Sequence, residues 1–279
     1  MNQTSKLLDL LMSVRPTELR NLITKFLNIG YREVDTVEGK FWLDPTSNFG
    51  YRVLKYGRYE TETTEAIKKF LCEGDTFIDI GANEGWYSVI AGKKVGKTGH
   101  VFMVEPQRRV WPIIENNLKL NSLSNCTLVP YAIGEHCEAR KIILTPSHDT
   151  GISTLVDLPR FFLCKRESIE LRTLDWLLDN YKLDVVKLIK IDIEGYELFA
   201  IRSGSNVLSS KRIKNFYIEI HNTHLKRLNL DPKELFHIME QYEYTVKSIK
   251  GGIFFSVESF LLNILDFDLY CQKMKESTG

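Results

Sequence analysis

A doubly wound α/β fold built on a mostly parallel sheet is what this sequence predicts, from three observations. Short apolar runs alternate with helical patterns along most of the chain, which reads as strands with crossover helices on both faces of a sheet. Residues 77–80 and 185–191 are near-continuously apolar, as strands buried on both faces are. At 279 residues, with 43% hydrophobic and 26% charged residues, the chain can bury a sizeable core without disulfides or metals.

The elements follow in order. Leu7, Leu8, Leu11, Leu19, Leu22, Ile23 and Phe26 recur at helical spacing, and Pro16 divides them into two helices because proline lacks an N–H and clashes with the preceding turn. Residues 1–56 are assigned to this helical N-terminal extension, as a packed appendage, a lid or a dimerisation arm, and 57–279 to the main domain. Residues 31–59 mix aromatics, glycines and charges and read as short strands and turns. Regular alternation starts with a helix over 60–72, a strand over 76–80 and a helix over 85–94. A strand over 99–104, a helix over 108–121 and a strand over 127–131 continue it. Residues 137–170 break the pattern and read as an insertion of hairpin or loop material. A helix over 174–181, a strand over 185–191, a helix over 196–203 and a strand over 213–220 resume it. The next helix opens at Asp231-Pro232, with Asp231 as N-cap and Glu234 at the capping-box position. Residues 244–249 and 252–257 predict a closing antiparallel pair, and 260–274 an amphipathic helix.

Charge and cysteine usage narrow the function class. Lys plus Arg total 37 against 36 Asp plus Glu, which argues against nucleic acid as a partner held by phosphate neutralisation. Cys72, Cys126, Cys137, Cys164 and Cys271 form no CxxC pair and no zinc spacing with the histidines, so reduced thiols and a cytoplasmic location are expected, with Cys126 in the core. No apolar run approaches the ~18 residues of a membrane span. The N-terminus does not read as a secretion signal.

In such sheets ligands bind beyond the C-terminal ends of the strands, where strand order reverses. The strand over 76–80 leads into Gly81-Ala82-Asn83-Glu84-Gly85, and Trp86 starts a helix. Glycines at 81 and 85 allow close approach to a ligand, and the helix N-terminus offers free N–H groups. A dinucleotide fingerprint needs glycine where Asn83 stands, so a nicotinamide oxidoreductase is disfavoured, and no Walker lysine follows. Asp79 at the strand end suits a cationic ligand such as S-adenosyl-L-methionine (AdoMet) better than a pyrophosphate. Glu105, 24 residues after Gly81, closes the next strand where a carboxylate accepts hydrogen bonds from a ribose diol.

The later strand ends are acidic too. If extended geometry persists through Lys190-Ile191-Asp192-Ile193-Glu194, then Asp192 and Glu194 share a side, as do Glu219 and His221 after the following strand. Asp192 and Glu194 could instead cap the helix starting near Tyr196. Two chemistries stay open: His221 or Asp192 as general base toward a hydroxyl, or Asp192, Glu219 and His221 as ligands of a divalent ion.

In this order and spacing, three segments make the chain resemble the FkbM-type family of AdoMet-dependent methyltransferases. They are Phe77-Ile78-Asp79-Ile80-Gly81-Ala82-Asn83-Glu84-Gly85, Val104-Glu105-Pro106 and Lys190-Ile191-Asp192-Ile193-Glu194-Gly195-Tyr196-Glu197. Weaker segments are Gly57-Arg58-Tyr59-Glu60, Ala132-Ile133-Gly134 and Ile218-Glu219-Ile220-His221. The resemblance implies a seven-stranded, Rossmann-like class I methyltransferase fold with a reversed last hairpin. It implies AdoMet as cofactor, surrounded by Asp79, Gly81, Asn83, Gly85, Glu105 and Asp192, with Ala132 in the strand end near the adenine. It also implies O-methylation of a hydroxyl on a sugar, glycolipid or polyketide-type acceptor. A hydroxyl needs a base or a metal to react, and the converging strand-end residues Asp192, Glu219 and His221 are assigned to that task. Substrate contacts are expected from the insertion, through His148, Asp149, Ser153 and Thr154. A non-catalytic AdoMet-binding module is the other alternative.

Overall fold

The computed structural model of the chain describes residues 3–14, 17–145, 150–157, 164–249 and 252–257. It opens with α1 (Gln3–Ser13) and α2 (Thr17–Phe26), the two helices that the leucine spacing predicts; Pro16 itself lies outside the described residues. An antiparallel hairpin follows, β1 (Arg32–Asp35) and β2 (Lys40–Leu43). The rest of 31–59 corrects the expectation of strands and turns, because residues Asn48–Tyr56 form a helix, α3. Ser47 caps it by accepting the Gly50 N–H at 2.8 Å, and Gly57 ends it in the left-handed region at φ 69°. Asp9 of α1 docks on α3, accepting from the Tyr51 hydroxyl at 2.5 Å and from Lys55 at 2.7 Å.

The alternating part runs α4 (Thr61–Phe70), β3 (Thr76–Ile80), α5 (Trp86–Val95), β4 (His100–Val104), α6 (Trp111–Leu120) and β5 (Cys126–Val129). The predicted strand over 127–131 stops at Val129, and β6 (Ala132–Ile133) joins a separate small sheet with β7 (Glu138–Leu144) and β8 (Lys165–Arg172). The insertion is therefore a paired hairpin with its own apolar core of Ile142, Ile143, Val156, Ile169 and Leu171. Then come α7 (Leu174–Asn180), β9 (Leu188–Ile191), α8 (Glu197–Arg202), α9 (Ser205–Ser209), β10 (Asn215–Ile218), α10 (Asn222–Arg227), α11 (Lys233–Gln241), β11 (Thr245–Ile249) and β12 (Gly252–Ser256). The short α9 and α10 have too few residues to show a period and were not expected from the sequence. Asp231 accepts the Lys233 N–H at 2.9 Å, but Glu234 forms no capping box: its carboxylate is drawn to Arg202 at 2.7 and 2.8 Å. The tail over 260–274 lies outside the described residues.

The main sheet has seven strands in the order β11-β12-β10-β9-β3-β4-β5. Strands β10, β9, β3, β4 and β5 are parallel, whereas β12 runs antiparallel to both β10 and β11. The chain travels outward through β3, β4 and β5, then returns to the other side of β3 with β9. Strand order thus reverses between β3 and β9, and a crevice opens beyond their C-terminal ends. One face of the sheet packs Ile78, Ile80, Ile189, Ile191 and Phe216 against α7, α8 and α11. The other buries Phe77, Val101, Met103 and Tyr217 with Phe41, Leu43 and Val53, so the hairpin and α3 share the core of the sheet. Cys126 is half-buried beside this core. No helix among the described residues is long and apolar enough to cross a membrane.

Candidate active site

The loop after β3 is shaped by close approach. A Cβ on Gly81 would lie 1.9 Å from the Asp192 carbonyl oxygen, and the φ of 83° independently favours glycine. The Gly81 and Ala82 N–H groups bond the Val104 carbonyl at 3.0 and 3.1 Å, which ties the loop to the end of β4. Glu105 completes the tie, accepting the Asn83 and Gln107 N–H groups at 2.9 Å each. Burial pushes its carboxyl up to about 7, against the pull of those two bonds.

A cleft of about 1310 Å³, open mouth included, lies over these strand ends. Of the residues expected around the cofactor, Gly81, Asn83, Glu105, Ala132 and Asp192 line it, together with the catalytic candidates Glu219 and His221. Asp79 and Gly85 do not. Asp79 is fully buried beneath the loop, accepting from the Ser88 hydroxyl at 2.6 Å with Lys190 Nζ at 3.4 Å. Gly85 precedes α5 with φ 85° and shapes the backbone only. Ser153 and Thr154 line the cleft, Ser153 held by Arg109 at 2.9 Å and Thr154 bonded to the Glu194 carbonyl at 2.8 Å. His148 and Asp149 lie outside the described residues.

The acidic strand ends converge by a route the alternation rule does not give. Strand β9 ends at Ile191, and the chain turns sharply through Glu194 at φ 51° and Gly195 at φ 105°. Neither Asp192 nor Glu194 caps α8. Instead His221 Nε2 lies 3.6 Å from Glu194 Oε2, 3.8 Å from Asp192 Oδ1 and 4.0 Å from Glu219 Oε1. Its Nδ1 is 2.8 Å from Oε1 of Glu197, a fully buried carboxylate at the start of α8. Burial opposes the imidazolium, but the Glu197 bond and the charges of Glu197, Glu194 and Asp192 outweigh it and raise His221 to about 10. Glu219 moves up to about 7, through burial first and then the neighbouring Asp192 and Glu60. Asp192, Glu219 and His221 each offer one donor atom within 4.8 Å of the others, a span a divalent ion could bridge.

Four contributors escape the sequence. Lys190 lines the cleft, and its signal is a charge within an apolar strand, since a buried ammonium needs acidic partners. Glu197 is bonded to a histidine 24 residues away, which no local pattern reveals. Glu60 accepts a hydrogen bond from the Tyr87 hydroxyl at the cleft wall. Glu84 accepts from the Tyr31 hydroxyl at 3.3 Å and the Thr150 hydroxyl at 3.2 Å, joining the N-terminal segment and the insertion to the loop.

The cleft lining suits a cation. Glu60, Glu84, Glu105, Asp192, Glu194 and Glu219 face it, against Lys190 and His221, and the acids remain in excess although burial raises Glu84, Glu105 and Glu219 to about 7 each. Such an excess attracts a sulfonium and repels a pyrophosphate. Asn83 Oδ1 and Glu84 Oε2 are buried acceptors without a hydrogen-bond partner, available to the donors of a ligand.

A doubly wound sheet with a reversed last hairpin, carrying this acidic cleft at its switch point, defines a class I AdoMet-dependent methyltransferase domain. The chain belongs to the Methyltransferase FkbM domain family, whose model matches residues 79–246. It is similar to the hexuronic acid methyltransferase AglP of Haloferax volcanii, 22% identical over 180 residues, which are 64% of this chain and 66% of that protein. Among solved structures it is similar to the methyltransferase FkbM from Methylobacillus flagellatus, at 19% identity and a TM-score of 0.44 over 65% of this chain and 43% of that one. It is also similar to SMU.1697c, a putative methyltransferase from Streptococcus mutans in complex with SAH, at 10% identity and a TM-score of 0.43 over 71% and 97%. The match thus spans just under two thirds of the curated relative's length.

Proposed function

We propose that this protein is an AdoMet-dependent O-methyltransferase acting on a hydroxyl of a sugar, glycolipid or polyketide-type acceptor. The observation that carries the reading is the Glu197–His221 pair set against Asp192 and Glu219 at the strand ends beside the Gly81 loop. Gly81, Asn83, Glu84, Glu105, Ala132 and Asp192 would hold the cofactor, with Glu105 facing the ribose hydroxyls. When bound there, AdoMet supplies the electrophilic methyl group. The residues of the chain have three tasks: to align the acceptor oxygen at ~3 Å from that methyl, to exclude water, and to take the hydroxyl proton.

His221 carries its proton at neutral pH, so the accepting role passes to the Glu219–Asp192 carboxylate pair. Glu219 titrates near neutrality and can exchange a proton there. His221 donates through Nδ1 to Glu197 and keeps the carboxylates in place by its charge. Residues 57–279 carry the methyltransferase fold in this reading, and the hairpin and α3 of residues 1–56 complete its core. A cytoplasmic site of action fits the free thiols of Cys72, Cys126, Cys137 and Cys164.

The test combines calorimetry with SAH and methyl-labelled AdoMet offered with a panel of sugars. Heat of binding and an O-methylated product are expected. Folded protein that gives no heat with either compound ends the reading.

A further inference from the structure

Lys190 stands between Ile189 and Ile191 in β9, with 2% of its surface exposed. Its Nζ lies 3.3 Å from Asp192 Oδ2, 3.4 Å from Asp79 Oδ1 and 3.5 Å from the Gly81 carbonyl oxygen. The ammonium donates hydrogen bonds to Asp192 and to the Gly81 carbonyl and meets Asp79 Oδ1 as a charge pair, with no hydrogen bond to that oxygen. Here the three oxygens come from three pieces of the site: strand β3, the loop after it, and the turn after β9. The Tyr87 ring lies 5.1 Å away.

Burial works against this charge, but Asp192 and Asp79 outweigh it, so Lys190 stays cationic and cannot act as a base. An ion pair with Asp79 alone would neutralise the buried charge. It would not account for Asp192 dividing its two oxygens, with Oδ2 toward Lys190 and Oδ1 toward His221 Nε2 at 3.8 Å. Nor would it account for the contact with the carbonyl of the loop glycine.

We propose that Lys190 is a positioning residue for methyl transfer, whose ammonium ties the Asp192 carboxylate to the Gly81 loop so that proton acceptor and cofactor cradle keep one geometry. This rests on the methyltransferase reading above. A small misplacement of a reacting group can cost about 10²-fold in rate, which is the scale at stake.

Lys190→Met alone would strand the Asp79 carboxylate, so the test uses the double variant Asp79→Asn/Lys190→Met, which removes both charges of the pair. Asp79→Asn alone leaves Lys190 on Asp192 and serves as the comparison. Melting temperature reports folding, calorimetry reports SAH affinity, and labelled methyl transfer gives kcat and the acceptor KM. The double variant is expected to fold, to bind SAH about 5-fold more weakly, and to lose about 30-fold in kcat with little change in acceptor KM. Asp79→Asn should lose less in both.

A folded double variant that matches Asp79→Asn in SAH affinity and kcat would show that Lys190 only neutralises Asp79, and would overturn the proposal. If the double variant does not fold, Lys190→Arg replaces it, keeping the charge but not the compact three-way contact. Lower kcat then supports the proposal and wild-type kcat overturns it. Wild-type protein that neither binds SAH nor transfers a methyl group defeats the functional reading first, and the proposal with it.

Discussion

His221 and Glu219 sit about 4 Å apart with opposite expected charges, and their titration sets the expected pH behaviour. Turnover should rise as Glu219 ionises around pH 7 and fall as His221 loses its proton near pH 10, giving a bell-shaped kcat profile. His221→Gln should remove the upper limb; a profile that keeps it would detach that limb from His221. Glu219→Gln should lower kcat by roughly 10² while SAH still binds, Asp192→Asn should lower both kcat and SAH affinity, and unchanged turnover in both would reject the carboxylate pair as proton acceptor. Stability gives an independent check. A carboxyl whose folded pKa of about 7 lies above its ordinary value favours folding below that ordinary value, and loses this contribution as pH rises through 7. Glu219→Gln should therefore melt higher than wild type at pH 8, with the gap closing near pH 5.

At the level of elements, the junction of β3 and β9 is the least tolerant part of the fold. Gly81→Ala would place a methyl group 1.9 Å from the Asp192 carbonyl oxygen, against rigid backbone. It should abolish SAH binding or folding, and a stable variant with wild-type affinity would show the junction to be pliable. The hairpin β1–β2 and α3 are anchored more conventionally. Phe41 is fully buried, and Phe41→Ala should cost about 3–5 kcal/mol in denaturant unfolding. Removing the α3 cap with Ser47→Ala should cost about 1 kcal/mol. Glu84 links Tyr31, the Gly81 loop and Thr150 of the insertion, so the cofactor loop is braced by two segments that lie far apart in sequence.

Across the whole molecule, the net charge of +1 conceals a strongly acidic cleft. Lys190 and His221 are the cations among its described lining residues, and both are engaged, Lys190 by Asp79 and Asp192 and His221 by Glu197. An acidic sugar would find no free counter-charge there. Under the proposed function, uncharged sugar hydroxyls should therefore be methylated with higher kcat/KM than hexuronic acids, and the difference should shrink with added salt. Equal or reversed preference at low salt would show that a cation from outside the described lining reaches the acceptor.

The parallel sheet, its closing antiparallel pair and the cofactor loop were legible in the sequence because each is a local pattern: apolar runs, turn glycines, an acid at a strand end. Gly81, Asn83, Glu105, Asp192, Glu219 and His221 could be named for the same reason, since a strand end is where the run of apolar residues stops. α3 was not read as a helix, because its nine residues hold three aromatics and a glycine, types that favour strands and turns. Nor was the burial of Asp79 away from the cleft legible, because a strand pattern does not say which face a terminal acid takes. Only the tertiary structure joined Glu197 to His221, set Lys190 among three oxygens and raised the Glu219 and His221 pKa values together. Those are properties of desolvation and of distances between segments, and they come into being only when the chain closes around them.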